Sequence, residues 1–340
     1  MFPPEFLFLA TAVFAAPFSR RSENGPVVLS NFQDPSVLKV GDTYYGYAGP
    51  NGNNAGVSSN VITATSKDFE TWTVNDADAL PYTGAWAASV PHVWAPDVVR
   101  LDNGKYVLYY SAITTQNDLQ HCVGAATSNA PAGPFTPMDQ PLYCDLGAGG
   151  AIDPDGFKDP NTGKQYVIYK VDGNSVGHGG SCKNDVAPIV PTPILLQQVS
   201  SEDGVTPVSA AIELVSNNAQ DGPVVEAPTM AYDPSTKQYI LFFTSGCFTT
   251  PTYNIQYATA TNIAGPYTRQ GVFLKTGDTA ANVQIPGSPD VEPETNQLVF
   301  HGDVNMAWFA TPKQGLRTRA MYATTPNWNA QGAVSMSTLE

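Results

Sequence analysis

Five X-Pro steps, ending at Pro35, Pro96, Pro154, Pro228 and Pro289, divide the chain into units spaced 61, 58, 74 and 61 residues apart. Each is followed by a tight polar turn, such as Gly41-Asp42, Asn103-Gly104 or Pro160-Asn161-Thr162-Gly163. An aromatic-rich alternating run comes next: Thr43 to Tyr47, Lys105 to Tyr110, Gln165 to Tyr169, Gln238 to Phe243 and Gln297 to His301. A third run often ends in Ala-Thr, as at Ala64-Thr65, Ala126-Thr127, Ala258-Thr259 and Ala323-Thr324. A short fourth run closes several units, at Trp72, Gly133 to Thr136 and Gly265 to Thr268. Four strands per unit at this period describe propeller blades. The expectation is an all-β, five-bladed β-propeller with four antiparallel strands per blade.

Each innermost strand of a propeller starts at one end of the central channel, so residues beside the five prolines converge there. They are Asp34, Ala95, Asp153, Ala227 (preceded by Glu226) and Ser288. Asp before Pro is a common turn opener, which accounts for any one of them. Three acids at one mouth are harder to account for, because crowded carboxylates repel one another and hold protons more tightly. Two carboxylates flanking a sugar linkage are the minimum for glycoside hydrolysis, and a third can orient the proton donor. Trp86, Trp94 and Phe248 fall in segments expected on this face, where aromatic rings stack on sugars.

Composition narrows the partners. Sixteen basic residues stand against 30 acidic ones, a balance of −14, so the basic stripe of a nucleic-acid binder is missing. Residues Met1 to Ala16 read as a secretory leader, with an apolar stretch ending at Ala15-Ala16. Arg20-Arg21 suits dibasic processing, which divides the chain into a leader and pro-segment at 1–21 and one catalytic domain at 22–340. No other apolar run reaches membrane-spanning length. The expectation is a secreted, extracellular monomer with neither membrane nor nucleic-acid partners.

The four cysteines allow three pairings. Cys182 and Cys247 fall in long loops of adjacent units on the acid-bearing face. Cys122 opens the third run of unit two and Cys144 lies in the crossover leaving it. Topology therefore favours Cys122–Cys144 and Cys182–Cys247, and secretion favours their oxidation. The 22-residue insertion from Asp172 to Pro193 contains Gly177-His178-Gly179-Gly180 and reads as a pocket wall, with His178 placed for substrate.

Phe32-Gln33-Asp34-Pro35-Ser36-Val37, Trp94-Ala95-Pro96-Asp97-Val98, Ala151-Ile152-Asp153-Pro154 and Val225-Glu226-Ala227-Pro228 resemble the signature segments of family 43 glycoside hydrolases, in the same order, from about residue 28 to the C-terminus. That family is built of five-bladed propellers and inverts anomeric configuration. The resemblance implies Asp34 as general base, Glu226 as general acid and Asp153 as the acid that tunes and orients Glu226, with Asp97 and Asp155 as neighbours. It implies no cofactor for the chemistry. A structural calcium is left open: arabinanases of the family carry a His at the start of the fifth inner strand, where this chain has Ser288, and His301 on the following strand is a poorer metal ligand. The substrate is expected to be polysaccharide or oligosaccharide. Glu226-Ala227-Pro228, where xylosidases tend to have Glu-Gly-Pro, favours α-L-arabinofuranosyl linkages of arabinan or arabinoxylan. A β-xylosidase or bifunctional xylosidase/arabinofuranosidase is the alternative among enzymes, and a non-catalytic carbohydrate-binding propeller the alternative of another class.

Overall fold

The computed structural model describes residues 25–49, 59–278, 282–305, 317–328 and 334–336. The expected leader and processing site at 1–21 lie outside the described residues. Four antiparallel sheets of four strands stand in chain order, each running consecutively from its first strand to its fourth. The first strands, Ser36–Val40, Trp94–Arg100, Ala151–Lys158, Val225–Asp233 and Gln284–Val291, touch one another in a closed ring around the axis. Five blades therefore surround one channel.

In the fifth blade the described residues supply three strands of one sheet, Gln284–Val291, Leu298–Asp303 and Arg319–Thr324. The outer place beside the third is taken by the start of the described chain. Val27 donates its N–H to the Met321 carbonyl (2.8 Å), Met321 donates back to Val28 (3.0 Å), and Phe32 donates to Arg319 (2.8 Å). Chain start and chain end thus latch the ring, and Phe32, Val37, Val299 and Met321 share one apolar cluster behind the latch.

The second strands were expected to alternate, and they do not. Tyr106–Thr114, Gln165–Val171 and Gln238–Ser245 are buried almost throughout. A blade is covered on both faces by its neighbours, so its middle strands have no solvent side. The apolar clusters accordingly lie between blades: Leu38 and Tyr47 meet Leu108 and Tyr110, and Ile168 and Leu196 meet Met230 and Phe243. Both expected disulfides are present. Cys122–Cys144 has its Cα atoms 4.7 Å apart, and Cys182–Cys247 spans 65 residues with Cα atoms 5.7 Å apart.

All five residues before the repeat prolines adopt the left-handed conformation, with φ of 49° at Asp34, 42° at Ala95, 54° at Asp153, 48° at Ala227 and 46° at Ser288. Proline disfavours the right-handed helical region for the residue before it, and a left-handed non-glycine residue costs on the order of 1–3 kcal/mol. At four of the five steps a neighbouring side chain accepts the amide of this residue, which helps the conformation persist. Asp153 donates its N–H to Ser111 Oγ (3.0 Å), Ser288 to Thr244 Oγ1 (3.1 Å), Asp34 to His301 Nδ1 (3.3 Å) and Ala227 to Asp153 Oδ2 (3.0 Å). Ladder register breaks beside these steps, as between Trp94 and Asp97, Glu226 and Thr229, and Gly287 and Asp290. With register breaks in four of the five blades, the inner-strand starts bend so that the residue two before each proline, the pre-proline residue and the residue after the proline approach the axis in three successive rings.

Candidate active site

The outer two rings meet in a cavity of about 160 Å³ at the channel mouth, lined by Asp34, Trp94, Ile152, Asp153, Glu226, Phe248, Tyr253, Ser288 and Arg319. The structure therefore brings together the three acids picked out by the sequence, with Trp94 and Phe248 as the expected aromatic walls. Trp94 lies flat on His121, ring centroids 3.6 Å apart. Phe248 follows disulfide-bonded Cys247 and carries the Arg317 guanidinium 5.2 Å from its ring centre. Two expected contacts are corrected. Trp86 is buried in the core between blades one and two, stacked on Tyr110, because Gly124 opens room for its ring there. His178 lies outside the lining, and its Nε2 sits 3.3 Å from the Ala187 carbonyl within its own exposed loop.

Asp34 sits in an electropositive seat. Arg319 donates to its Oδ1 at 3.2 Å and Ser288 Oγ at 2.9 Å. Burial alone would favour the neutral acid, but the Arg319 guanidinium and the Ser288 hydroxyl outweigh it and hold Asp34 well below the ordinary carboxylate range. Arg319 is itself fixed by Gln33. Burial pushes the His301 ring toward its neutral form, and its Nδ1 accepts the Asp34 backbone N–H at 3.3 Å.

Glu226, across the pocket, is held at both of its oxygens. Tyr253 donates to its Oε1 at 2.7 Å and Lys170 Nζ to its Oε2 at 2.9 Å. Lys170, wholly buried, also donates to Asp172 Oδ1 at 3.0 Å. Asp153, beside them, is pushed well above the carboxylate range by burial first and by the charge of Glu226 second, against the pull of Lys170. Asp34 is thus held below the usual carboxylate range, and across the pocket Asp153 is held above it. Sequence reasoning missed Lys170, Tyr253 and Arg319. Only Lys170 carried a signal, as a lone charge in the apolar run Gln165–Val171.

Among the described residues, the surroundings of His301 do not assemble a calcium seat. Calcium takes six to eight oxygen ligands, whereas His301 offers a ring whose Nδ1 is engaged by Asp34 and whose buried Nε2 has no hydrogen-bond partner. Ser288, at the position expected for a calcium-holding His, spends its hydroxyl on Asp34.

Deeper in the channel the third ring gathers Asp97, Asp155 and Asp290, whose carboxylate oxygens lie within 4.8 Å of one another. Asp97 accepts from the Gly156 N–H (2.7 Å), and Asp290 accepts from the Val37 N–H (2.6 Å) and Thr229 Oγ1 (3.2 Å). A larger cavity of about 690 Å³ opens beneath them at the far end of the channel, but it contains none of the mouth acids. Burial, with the neighbouring carboxylates, raises Asp97 and Asp155 well above the usual range. It brings Asp290 to about 6. A folded-state value above the unfolded one means that the stability tied to this proton is present below about pH 4 and lost as pH rises through about 6. The shift at Asp290 corresponds to on the order of 3 kcal/mol. Thermal unfolding from pH 4 to 8 should show a decline with rising pH that Asp290→Asn flattens; parallel curves for the two proteins would contradict this assignment.

Comparison with known proteins supplies four findings. The model of glycosyl hydrolases family 43 matches residues 24–334. The extracellular endo-α-(1→5)-L-arabinanase of Thermotoga petrophila is 27% identical over 259 residues, covering 69% of this chain and 50% of that protein. The extracellular endo-α-(1→5)-L-arabinanase 2 of Bacillus subtilis is 24% identical over 282 residues, covering 77% and 55%. The chain thus spans about half the length of the curated relatives it matches. A solved thermostable family-43 glycoside hydrolase superposes with a TM-score of 0.74 at 21% identity, covering 93% of this chain and 96% of that one. Among the described residues no helix is long and apolar enough to cross a membrane.

Proposed function

Because the chain belongs to the glycosyl hydrolases of family 43, we propose that it is a secreted, monomeric glycosidase that hydrolyses α-L-arabinofuranosyl linkages in plant cell-wall arabinan or arabinoxylan, with inversion. The observation that carries this reading is the contrast between the two sides of one small pocket. Asp34 is locked in its ionised form by Arg319 and Ser288, which suits a base. Glu226 lies across the pocket, fixed at both oxygens by Tyr253 and Lys170 and beside the Asp153 carboxyl that burial pushes well above the usual range, a place that suits a proton donor. Environments that push two carboxyl groups apart assign their roles.

In the proposed reaction the sugar ring occupies the pocket between Trp94 and Phe248. Asp34 takes a proton from a water molecule as the water oxygen bonds to the anomeric carbon from one face. The glycosidic bond breaks on the other face, and Glu226 delivers its proton to the departing oxygen. Asp153 orients Glu226 through the adjoining Ala227 N–H that it accepts at 3.0 Å. Two disulfides suit an oxidising compartment, and the matched relatives are named extracellular arabinanases, which supports both secretion and the arabinan assignment.

The test is a panel of aryl α-L-arabinofuranoside, aryl β-D-xylopyranoside and linear arabinan, with product sizing and proton NMR of the first sugar released. Arabinofuranosyl hydrolysis giving the β-anomer first is expected. Cleavage of the xylopyranoside alone, or release of the α-anomer first, overturns the reading. Sizing separates attack at chain ends from attack within the chain.

A further inference from the structure

Four second-strand residues hold equivalent register positions, each paired with the residue before a pre-proline step: Ser111 opposite Trp94, Lys170 opposite Ile152, Thr244 opposite Glu226 and His301 opposite Gly287. In three blades this residue does one structural job. Ser111, Thr244 and His301 accept the backbone N–H of the pre-proline residue in the next blade. Lys170 cannot, because an ammonium has no acceptor. Its duty passes to Asp153, which accepts from Ala227 instead. Lys170 is left free to aim a wholly buried ammonium at Glu226 Oε2 (2.9 Å), with Asp172 behind it at 3.0 Å.

A buried cation is costly unless paired, and here it is paired twice. Had Glu226 been its sole partner, protonation of Glu226 would strand the ammonium. Asp172 prevents this by remaining as counter-charge. When Glu226 loses its proton, the new carboxylate already faces an oriented ammonium and needs no reorganisation, which is how fixed charge lowers a barrier. From this geometry we infer that Lys170 is a positioning residue for proton donation: it holds Glu226 in place and stabilises the charge left on it as the proton departs, while Asp172 keeps Lys170 neutralised when Glu226 is protonated. The inference rests on the role of Glu226 proposed above.

The ionisable groups around Glu226 are Lys170 and Asp172 from the end of the second strand of blade three, Asp153 from its first strand, Tyr253 from the blade-four loop and, across the pocket, Asp34 with Arg319. Removing charges of opposite sign from this set should move the alkaline limb of the pH–rate profile in opposite directions. In Lys170→Met the limb should rise by about one unit or more, because a cation that favours proton loss is gone. In Asp172→Asn it should fall, because the anion opposing that cation is gone. Purified full-length variants, checked for folding by thermal melts, would be assayed on arabino-oligosaccharide and on a dinitrophenyl α-L-arabinofuranoside, whose leaving group needs no proton. Lys170→Met should lower kcat on the oligosaccharide by about 10-fold or more, change KM little, and lose far less on the activated glycoside. If Lys170→Met fails to fold, the direction of the Asp172→Asn shift still decides. Unmoved limbs, limbs moving together, or equal losses on both substrates overturn the inference. Glu226→Gln separates the two levels: full turnover on oligosaccharide there overturns the role of Glu226 itself, whereas loss there with wild-type behaviour in both Lys170→Met and Asp172→Asn overturns only the role of Lys170.

Discussion

Asp34→Asn is expected to lower turnover of linear arabinan by about 10³- to 10⁴-fold while leaving the melting behaviour close to that of the parent. Asn tolerates the left-handed backbone that this position requires, and its amide oxygen can still accept from Ser288 and Arg319 in place of Asp34 Oδ1. The carboxylate that takes the proton from water is what disappears. Steady-state kinetics beside a thermal melt checks this. Turnover within about 10-fold of the parent would remove Asp34 from the base role, because general base catalysis is worth at least about 10²-fold.

Glu226→Gln is expected to show an unequal loss. On arabino-oligosaccharide, whose departing sugar needs a proton, kcat should fall by about 10²- to 10⁴-fold. On a dinitrophenyl glycoside the departing phenolate is stable without one, so the fall should be much smaller. Gln keeps an oxygen for Lys170 or Tyr253, which limits structural damage. An equal fall on both substrates would mean that Glu226 serves binding or packing rather than proton donation.

The fold was legible because the bulges that open the blades are written in the sequence as X-Pro followed by a polar turn. Those same steps fix where Asp34, Asp153 and Glu226 point, so the acids could be placed without coordinates. The cysteine pairing followed from which loops share a face. What stayed hidden depends on contacts between distant segments. Arg319 reaches Asp34 across 285 positions of chain, and the Val28–Met321 bridge is equally remote in sequence. Tyr253 sits in a loop whose course is set by the Cys182–Cys247 bridge and by Gly287, where a Cβ would strike the Tyr253 ring. Trp86 was misplaced because local sequence does not say which side of a segment packs inward; the space at Gly124 decides it. Lys170 is a charge on a buried strand, but the Glu226 carboxylate that gives it meaning comes from the next blade.

The left-handed step recurs in all five blades whether the residue there is Asp, Ala or Ser. Backbone shape and chemistry are therefore inherited separately. The repeat hands every blade the same aperture, and what fills it is free to drift. Ala95 and Ala227 occupy apertures with no acid of their own, and Ser288 only assists its neighbour Asp34. Exchanging the occupant of one aperture therefore changes the chemistry of the mouth while the bends of the propeller stay as they are.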